Sequence, residues 1–188
     1  RYFLSTSSAA GQDLRYDEEK VKSTWNFINK LWNASRFCLM NIEDLKVYDF
    51  SNLGVQDKWI LSKLNKVISK VTKNMESYEF NNAGGELYSF IWSDFCDSYI
   101  EMSKFSLDNA STKSTLCYAI SAILKMLHPF MPYVTDEIYS MLPIRDAENI
   151  MISSYPLVNE EFNFESEEKE TEEMIGFIAA FRNVKQEN

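Results

Sequence analysis

Hydrophobic positions recur every three or four residues along most of this chain, with polar positions between them. That period, near 3.6, predicts a succession of amphipathic helices. The first opens at Asp17, a good N-cap, with Glu18 and Glu19 at the positive end of the helix dipole, and runs to about Asn41. At about 100° per residue, Trp25, Ile28, Leu31, Trp32, Ser35 and Leu39 share the face expected to turn inward. After a loop closed by Asn52-Leu53-Gly54, Asp57 caps a second helix reaching about Tyr78, with Ile60, Leu64, Val67, Ile68, Val71 and Met75 as its buried stripe. Lys63, Lys66, Lys70 and Lys73 line its opposite side.

A third helix, about Asn81 to Lys104, is apolar around most of its circumference and is expected at the centre of a bundle. The fourth starts near Ser111 and is stopped by His128-Pro129. Pro132 suits the first turn of a short fifth helix ending near Leu142-Pro143. Residues 144–164 read as irregular, with Ile150-Met151-Ile152 as a short strand. A last amphipathic helix, about Glu167 to Lys185, carries Met174, Ile175, Ile178 and Phe181, and little support is expected for it from the rest of the chain. The fold class expected is therefore all-α: a bundle of about five helices with a short irregular or α/β tail. Residues 1–16 read as the tail of a preceding unit, 17–143 as the bundle, and 144–188 as an acidic connection with the start of a further segment.

Composition agrees. Gly and Pro supply only 5 and 4 of the 188 residues, too few for a turn-rich β architecture. No apolar stretch is long enough to span a bilayer. Cys38, Cys96 and Cys117 are odd in number and set among apolar residues, as packed thiols of a reducing compartment would be. The net charge of −9 speaks superficially against a nucleic-acid partner, but its distribution changes the picture. Residues 144–188 carry 4 basic and 11 acidic residues, whereas residues 1–143 are nearly balanced at 15 and 17. The body can therefore present a local basic patch.

The chemistry follows from the first helix. Asn26, Lys30, Asn33 and Phe37 fall within about 60° of one another, opposite the Trp25/Ile28/Leu39 face, with Arg36 at the margin. An aromatic ring among amides and cations suits an unpaired base: the ring stacks on it, and the neighbours reach base edges and phosphates. The lysine row of the second helix, Lys63, Lys66, Lys70 and Lys73, would add salt-sensitive contacts to an RNA backbone. Helical spacing places Asp94 and Glu101 in the apolar sector of the third helix, where a structural ion pair is expected rather than acid–base work. His128, the single histidine, is expected to act locally at the helix end. No phosphate-binding glycine loop, catalytic triad or metal-ligand spacing is present, so the chain itself shows no catalytic apparatus and no metal site.

Several stretches carry a resemblance: Gly11-Gln-Asp-Leu-Arg15, Asn26-Phe-Ile-Asn-Lys30-Leu-Trp-Asn-Ala-Ser-Arg36-Phe37, Asp57-Lys-Trp-Ile-Leu-Ser-Lys-Leu64, Tyr88-Ser-Phe-Ile-Trp-Ser-Asp-Phe-Cys-Asp97 with Tyr99-Ile-Glu101, and His128-Pro-Phe-Met-Pro-Tyr-Val-Thr-Asp-Glu-Ile138. In order and spacing they resemble the valyl-tRNA synthetase family, in the part that follows its catalytic domain. Lys185 stands where that family is expected to carry arginine. The resemblance implies a class I anticodon-binding bundle whose parent enzyme joins valine to tRNA with ATP and Mg²⁺. It implies that Lys30, Arg36 and Phe37 contact the anticodon; Asn33 is added from helix geometry alone. We expect a cytoplasmic monomer whose partners are tRNA and its own catalytic domain, with no membrane. Two alternatives stand beside it: the equivalent domain of an isoleucyl- or leucyl-type synthetase, and a helical protein-interaction module without RNA.

Overall fold

The structure, a computed structural model, describes residues 1–8, 12, 13 and 16–186. Gly11, Leu14 and Arg15 of the first matching stretch lie outside the described residues, as does the side chain of Lys185. Among the described residues eight α-helices follow one another: α1 Tyr2–Thr6, α2 Glu18–Ile42, α3 Val55–Glu76, α4 Phe80–Ser89, α5 Ile100–Ser103, α6 Ala110–Leu127, α7 Pro132–Ser140 and α8 Glu165–Gln186. Between α4 and α5 the backbone continues without a break as a π-helix, Phe90–Tyr99, so the three pieces form one rod. The described residues contain no strand. Ile150–Ile152, expected as a strand, is a single 3₁₀ turn, because the Asn149 side chain accepts from the Met151 N–H and caps it.

Asp17 is the N-cap of α2, its carboxylate accepting from the N–H groups of Glu19 and Lys20. Pro132 sits in the first turn of α7. Asp57 is not the cap of α3. That place belongs to Gly54, and Asp57 lies three residues inside, fully buried, with its carboxylate returning to the Gly54 N–H. The centre of the bundle is α6 rather than the third-helix rod. Small residues such as Ser114, Ala119 and Ala122 let neighbours close on several sides of α6, and its hydroxyls find local partners: Thr115 donates to the Ser111 carbonyl, while Ser114 accepts from the Asp49 N–H.

The largest departure concerns which side of α2 turns inward. Phe27, Leu31, Ala34, Ser35, Cys38 and Ile42 are buried, while Trp25 and Trp32 are 63% and 42% exposed. The buried stripe is rotated by about 80° from the expected one at helical spacing. Phe27 decides this. Its ring lies 5.5 Å from Tyr2 of α1 and 4.9 Å from Tyr88 of α4, and an aromatic cluster there outweighs burial of either tryptophan. Tyr2 also donates to the Gly84 carbonyl at 3.0 Å, and a Cβ on Gly84 would stand 2.2 Å from Thr6, so this glycine lets α1 lie directly on α4. The N-terminal helix is thus part of the bundle.

The three cysteines are free and buried, and burial pushes the Cys96 thiol up to about 12. His128 ends α6, with Nδ1 2.8 Å from the Thr135 hydroxyl; burial lowers its pKa and Asp136 opposes the shift.

After α7 the chain is fastened at Asp146. Burial would raise this carboxyl, but Lys125 at 2.7 Å, the Tyr139 hydroxyl at 2.8 Å and the Ser154 N–H at 2.9 Å hold it at about 2. Its folded pKa therefore lies below the unfolded value of about 3.9, so its stabilisation is complete above that value and is lost as pH falls towards 2. Asp146→Asn should flatten the fall in Tm between about pH 4 and 2; an unchanged acid limb would refute this anchor.

α8 is better supported than expected. Glu168 and Thr171 are buried against α3, and Ile175 packs on the core. From its middle onward it leaves Met174, Phe177, Ile178 and Phe181 exposed.

Candidate nucleic-acid interface

The rod stands between α2 and α3, and its π-wound middle shapes the edge facing α2. In an α-helix, residues five apart point about 140° away from each other. Where the hydrogen bonds run from i to i+5, they stack nearly one above the other. Trp92 and Asp97 are five apart. Both meet the same side chain of α2: the Lys30 ammonium lies 3.8 Å from the centre of the Trp92 ring and 2.5 Å from an Asp97 carboxylate oxygen. Ser98 supports the winding by donating its hydroxyl to the Ser93 carbonyl, also five residues back. Behind Trp92, Tyr88 stacks at 5.5 Å and in turn touches Phe27, so the ring that faces Lys30 is anchored in the core.

Two turns further along α2, Phe37 is partly buried against the core, and the Lys104 ammonium lies 5.8 Å from its ring centre. Lys104 is held by both carboxylate oxygens of Glu101, at 2.7 and 2.8 Å. Glu101, expected in the apolar sector, points outward; the slower winding of the π segment turns it there. Asn26, Asn33 and Arg36 are exposed. The structure therefore brings Lys30, Asn33 and Phe37 along one edge of a shallow groove between α2 and the rod, with Arg36 on the outer slope. Beside the partly open Phe37 ring lies one cation, the Lys104 ammonium paired with Glu101, and the ring's free face is able to stack a flat ring.

The lysine row of α3 lies on the other side of the rod and is not part of this groove. Lys63 meets Asp94 of the rod at 3.7 Å and Glu172 of α8 at 3.0 Å. Lys66 meets Glu168 and Lys70 meets Glu86, while Lys73 makes no ion pair among the described residues. Burial raises the Asp94 carboxyl, against the pull of Lys63. Asp94 and Asp97 thus serve two different helices, one lysine each. No group of three or more His, Cys, Asp or Glu side chains suited to a metal occurs among the described residues.

Sequence reasoning did not bring Trp92, Asp97 or Lys104 to the side of Lys30 and Phe37. The five-residue spacing of Trp92 and Asp97 places them on different sides of an α-helix, so only the π winding could have united them. It also missed the exposed Trp25, which with Leu4, Val21, Ile28, Met131 and the 91%-exposed Tyr133 lines an apolar cleft of about 570 Å³ at the α1 end of α2.

Comparison with known proteins bears on what such a bundle is. The chain is 48% identical over its whole length to the valine--tRNA ligase of Bacillus cereus strain ATCC 10987, 46% to that of Enterococcus faecalis, and 48% over 97% of its length to that of Staphylococcus aureus strain MRSA252. It spans 22% of the length of each of these relatives. In structure it is similar to a chain in the ternary LeuRS–tRNA–LeuAMS complex of Agrobacterium radiobacter K84, with a TM-score of 0.67 at 14% identity over 87% of this chain and 20% of that one, a likeness of fold. The family model for the anticodon-binding domain of tRNA ligase matches residues 57–188, and it takes in α3, the rod and all that follows. With that match over most of its length, the chain belongs to the anticodon-binding domains of tRNA ligases.

Proposed function

We propose that this chain is the anticodon-reading part of a valine–tRNA ligase, and that it holds the anticodon loop in the groove between α2 and the rod. The observation that carries the reading is the placement of Phe37 and Lys30 on one edge of that groove. There an aromatic face and a fixed ammonium lie two helical turns apart. Phe37 stacks on an unpaired base, Lys30 and Arg36 supply hydrogen bonds and phosphate charge, and Asn33 offers both donor and acceptor to a base edge. The identity to valine--tRNA ligases favours the valine anticodon over that of a leucyl or isoleucyl relative. The parent enzyme, a cytoplasmic monomer in this reading, would join valine to the tRNA with ATP and Mg²⁺; the residues for that step lie outside this chain.

Titration with an anticodon stem-loop carrying the valine anticodon tests the reading, with a scrambled loop on the same stem as control. Preference for the valine loop is expected, with affinity falling as salt rises. Equal binding of both loops would overturn it.

The apolar cleft beside α1 supports a second contact, with the parent's own catalytic unit in cis. Its wall includes Arg1 to Leu4, and roughly four-fifths of each relative lies outside the matched region. In the full enzyme, Trp25→Ser should loosen this docking without changing the fold of the bundle, measured as a lower concentration of urea needed to separate the two units.

A further inference from the structure

The acidic end of the chain does not hang in solvent. Residues 165–173 contain six glutamates and one lysine, and this stretch of α8 lies along α3, over Lys58, Lys63 and Lys66. Glu167 meets Lys58 at 2.9 Å, Glu172 meets Lys63 at 3.0 Å, and Glu168 meets Lys66 at 2.6 Å while accepting from the Ser62 hydroxyl. Packing fixes the helix there as well: Glu168 and Thr171 are 6% and 1% exposed. The strap before it is tied by Asn65, which donates to the carbonyls of Asn159 and Phe162 and accepts from the Asn159 N–H.

We propose that α8 is a fixed acidic cover, with Glu167, Glu168 and Glu172 as specificity-determining residues that deny the α3 lysines to RNA phosphates. This deepens the RNA-binding reading above and rests on it. Lysine–phosphate contacts carry affinity without sequence information, so an open row across the rod from the anticodon groove would bind any RNA. Individual surface ion pairs are weak, and their strength is not the point. What matters is that α8 is anchored by the buried Glu168 and Thr171, so that Glu167, Glu168 and Glu172 stand on Lys58, Lys66 and Lys63 and a phosphate at Lys63 or Lys66 meets negative charge already in place. Lys58 lowers the Glu167 carboxyl, and at Glu168 burial acts upwards but Lys66 and Ser62 outweigh it, so both stay ionised. Non-specific RNA contact at this end of α3 is thereby disfavoured relative to the α2 side of the rod.

The test uses the full 188-residue chain, a labelled 12-nucleotide oligouridylate and the valine-anticodon stem-loop, with binding followed by fluorescence anisotropy between 50 and 200 mM salt. The triple variant Glu167→Gln/Glu168→Gln/Glu172→Gln keeps the side-chain shapes and removes the charge. It should steepen the salt dependence of oligouridylate binding by about 2 in log–log slope, at about 0.7 per phosphate on three lysines. Over the fourfold salt range this is about a 16-fold larger loss of affinity. Adding Lys63→Gln and Lys66→Gln to that variant should abolish most of the gain, whereas the same lysine changes in the unmodified chain should leave oligouridylate binding unchanged. An unchanged slope in a triple variant of native circular dichroism overturns the cover. If that variant does not fold, Glu172→Gln alone, at a half-exposed position, should steepen the slope by about 0.7, and no change there overturns it equally. Loss of stem-loop binding in Phe37→Ala with no response to the glutamate changes sinks the cover and spares the anticodon reading; the reverse pattern sinks the anticodon reading alone.

Discussion

Asp57→Ala should destabilise the bundle by about 3–5 kcal/mol, the largest loss expected from any single polar residue in it. The carboxylate is fully buried and accepts three hydrogen bonds: from the Tyr99 hydroxyl at 2.7 Å, the Thr112 hydroxyl at 2.8 Å and the Gly54 N–H at 3.0 Å. These partners belong to the π segment, α6 and the start of α3, so one side chain joins three elements around a dry point. Its removal leaves the Tyr99 hydroxyl and the Gly54 N–H without their acceptor, and Thr112 with only the longer bond to the Ser106 hydroxyl at 3.2 Å; each lost bond costs about 1–3 kcal/mol where it is buried. Asp57→Asn keeps the shape and one acceptor oxygen and should cost roughly half as much. Urea unfolding followed by circular dichroism measures both. A loss below about 1 kcal/mol for alanine would mean that the three partners find other acceptors.

Phe37→Ala should weaken binding of the valine-anticodon stem-loop by about 5- to 150-fold, the equivalent of about 1–3 kcal/mol for one base–aromatic stack. The ring is also partly packed on the core, so the alanine variant loses some stability as well. Phe37→Leu separates the two effects. It retains most of the apolar contact and should recover stability, yet it offers no flat face to a base and should remain weak in RNA binding. If leucine restores binding together with stability, Phe37 serves packing alone. Lys30→Met, by contrast, should reduce the salt slope by about 0.7 because it removes one phosphate contact. Trp92 and Asp97 hold that ammonium from two sides, so Asp97→Asn should loosen its position while leaving its charge in place.

How much of this was legible in the residues differs from element to element. Asp17, Pro132 and His128-Pro129 mark helix ends by chemistry that acts within a turn, and the structure places helix ends there. The burial of Cys38, Cys96 and Cys117 also followed from their apolar neighbours. The inner face of α2 did not. Two stripes on that helix are nearly equal in apolar content, one led by Trp25 and Trp32, the other by Phe27, Cys38 and Ile42. Only the aromatic partners on α1 and α4 decide between them. The groove was half legible: Lys30, Asn33 and Phe37 lie on one edge because seven residues make two turns of any α-helix, whereas Trp92, Asp97 and Lys104 join them only through the π winding.

The order of the helices, the chemistry of their ends and the motifs that place the chain among anticodon-binding domains are local properties, written within a few consecutive residues and decided by spacing and hydrogen-bonding capacity. The rotation of α2, the unwinding of the rod and the pairing of α8 with the α3 lysines are decided between residues tens to more than a hundred positions apart. There the balance depends on which rings and charges meet, and no local period carries that information.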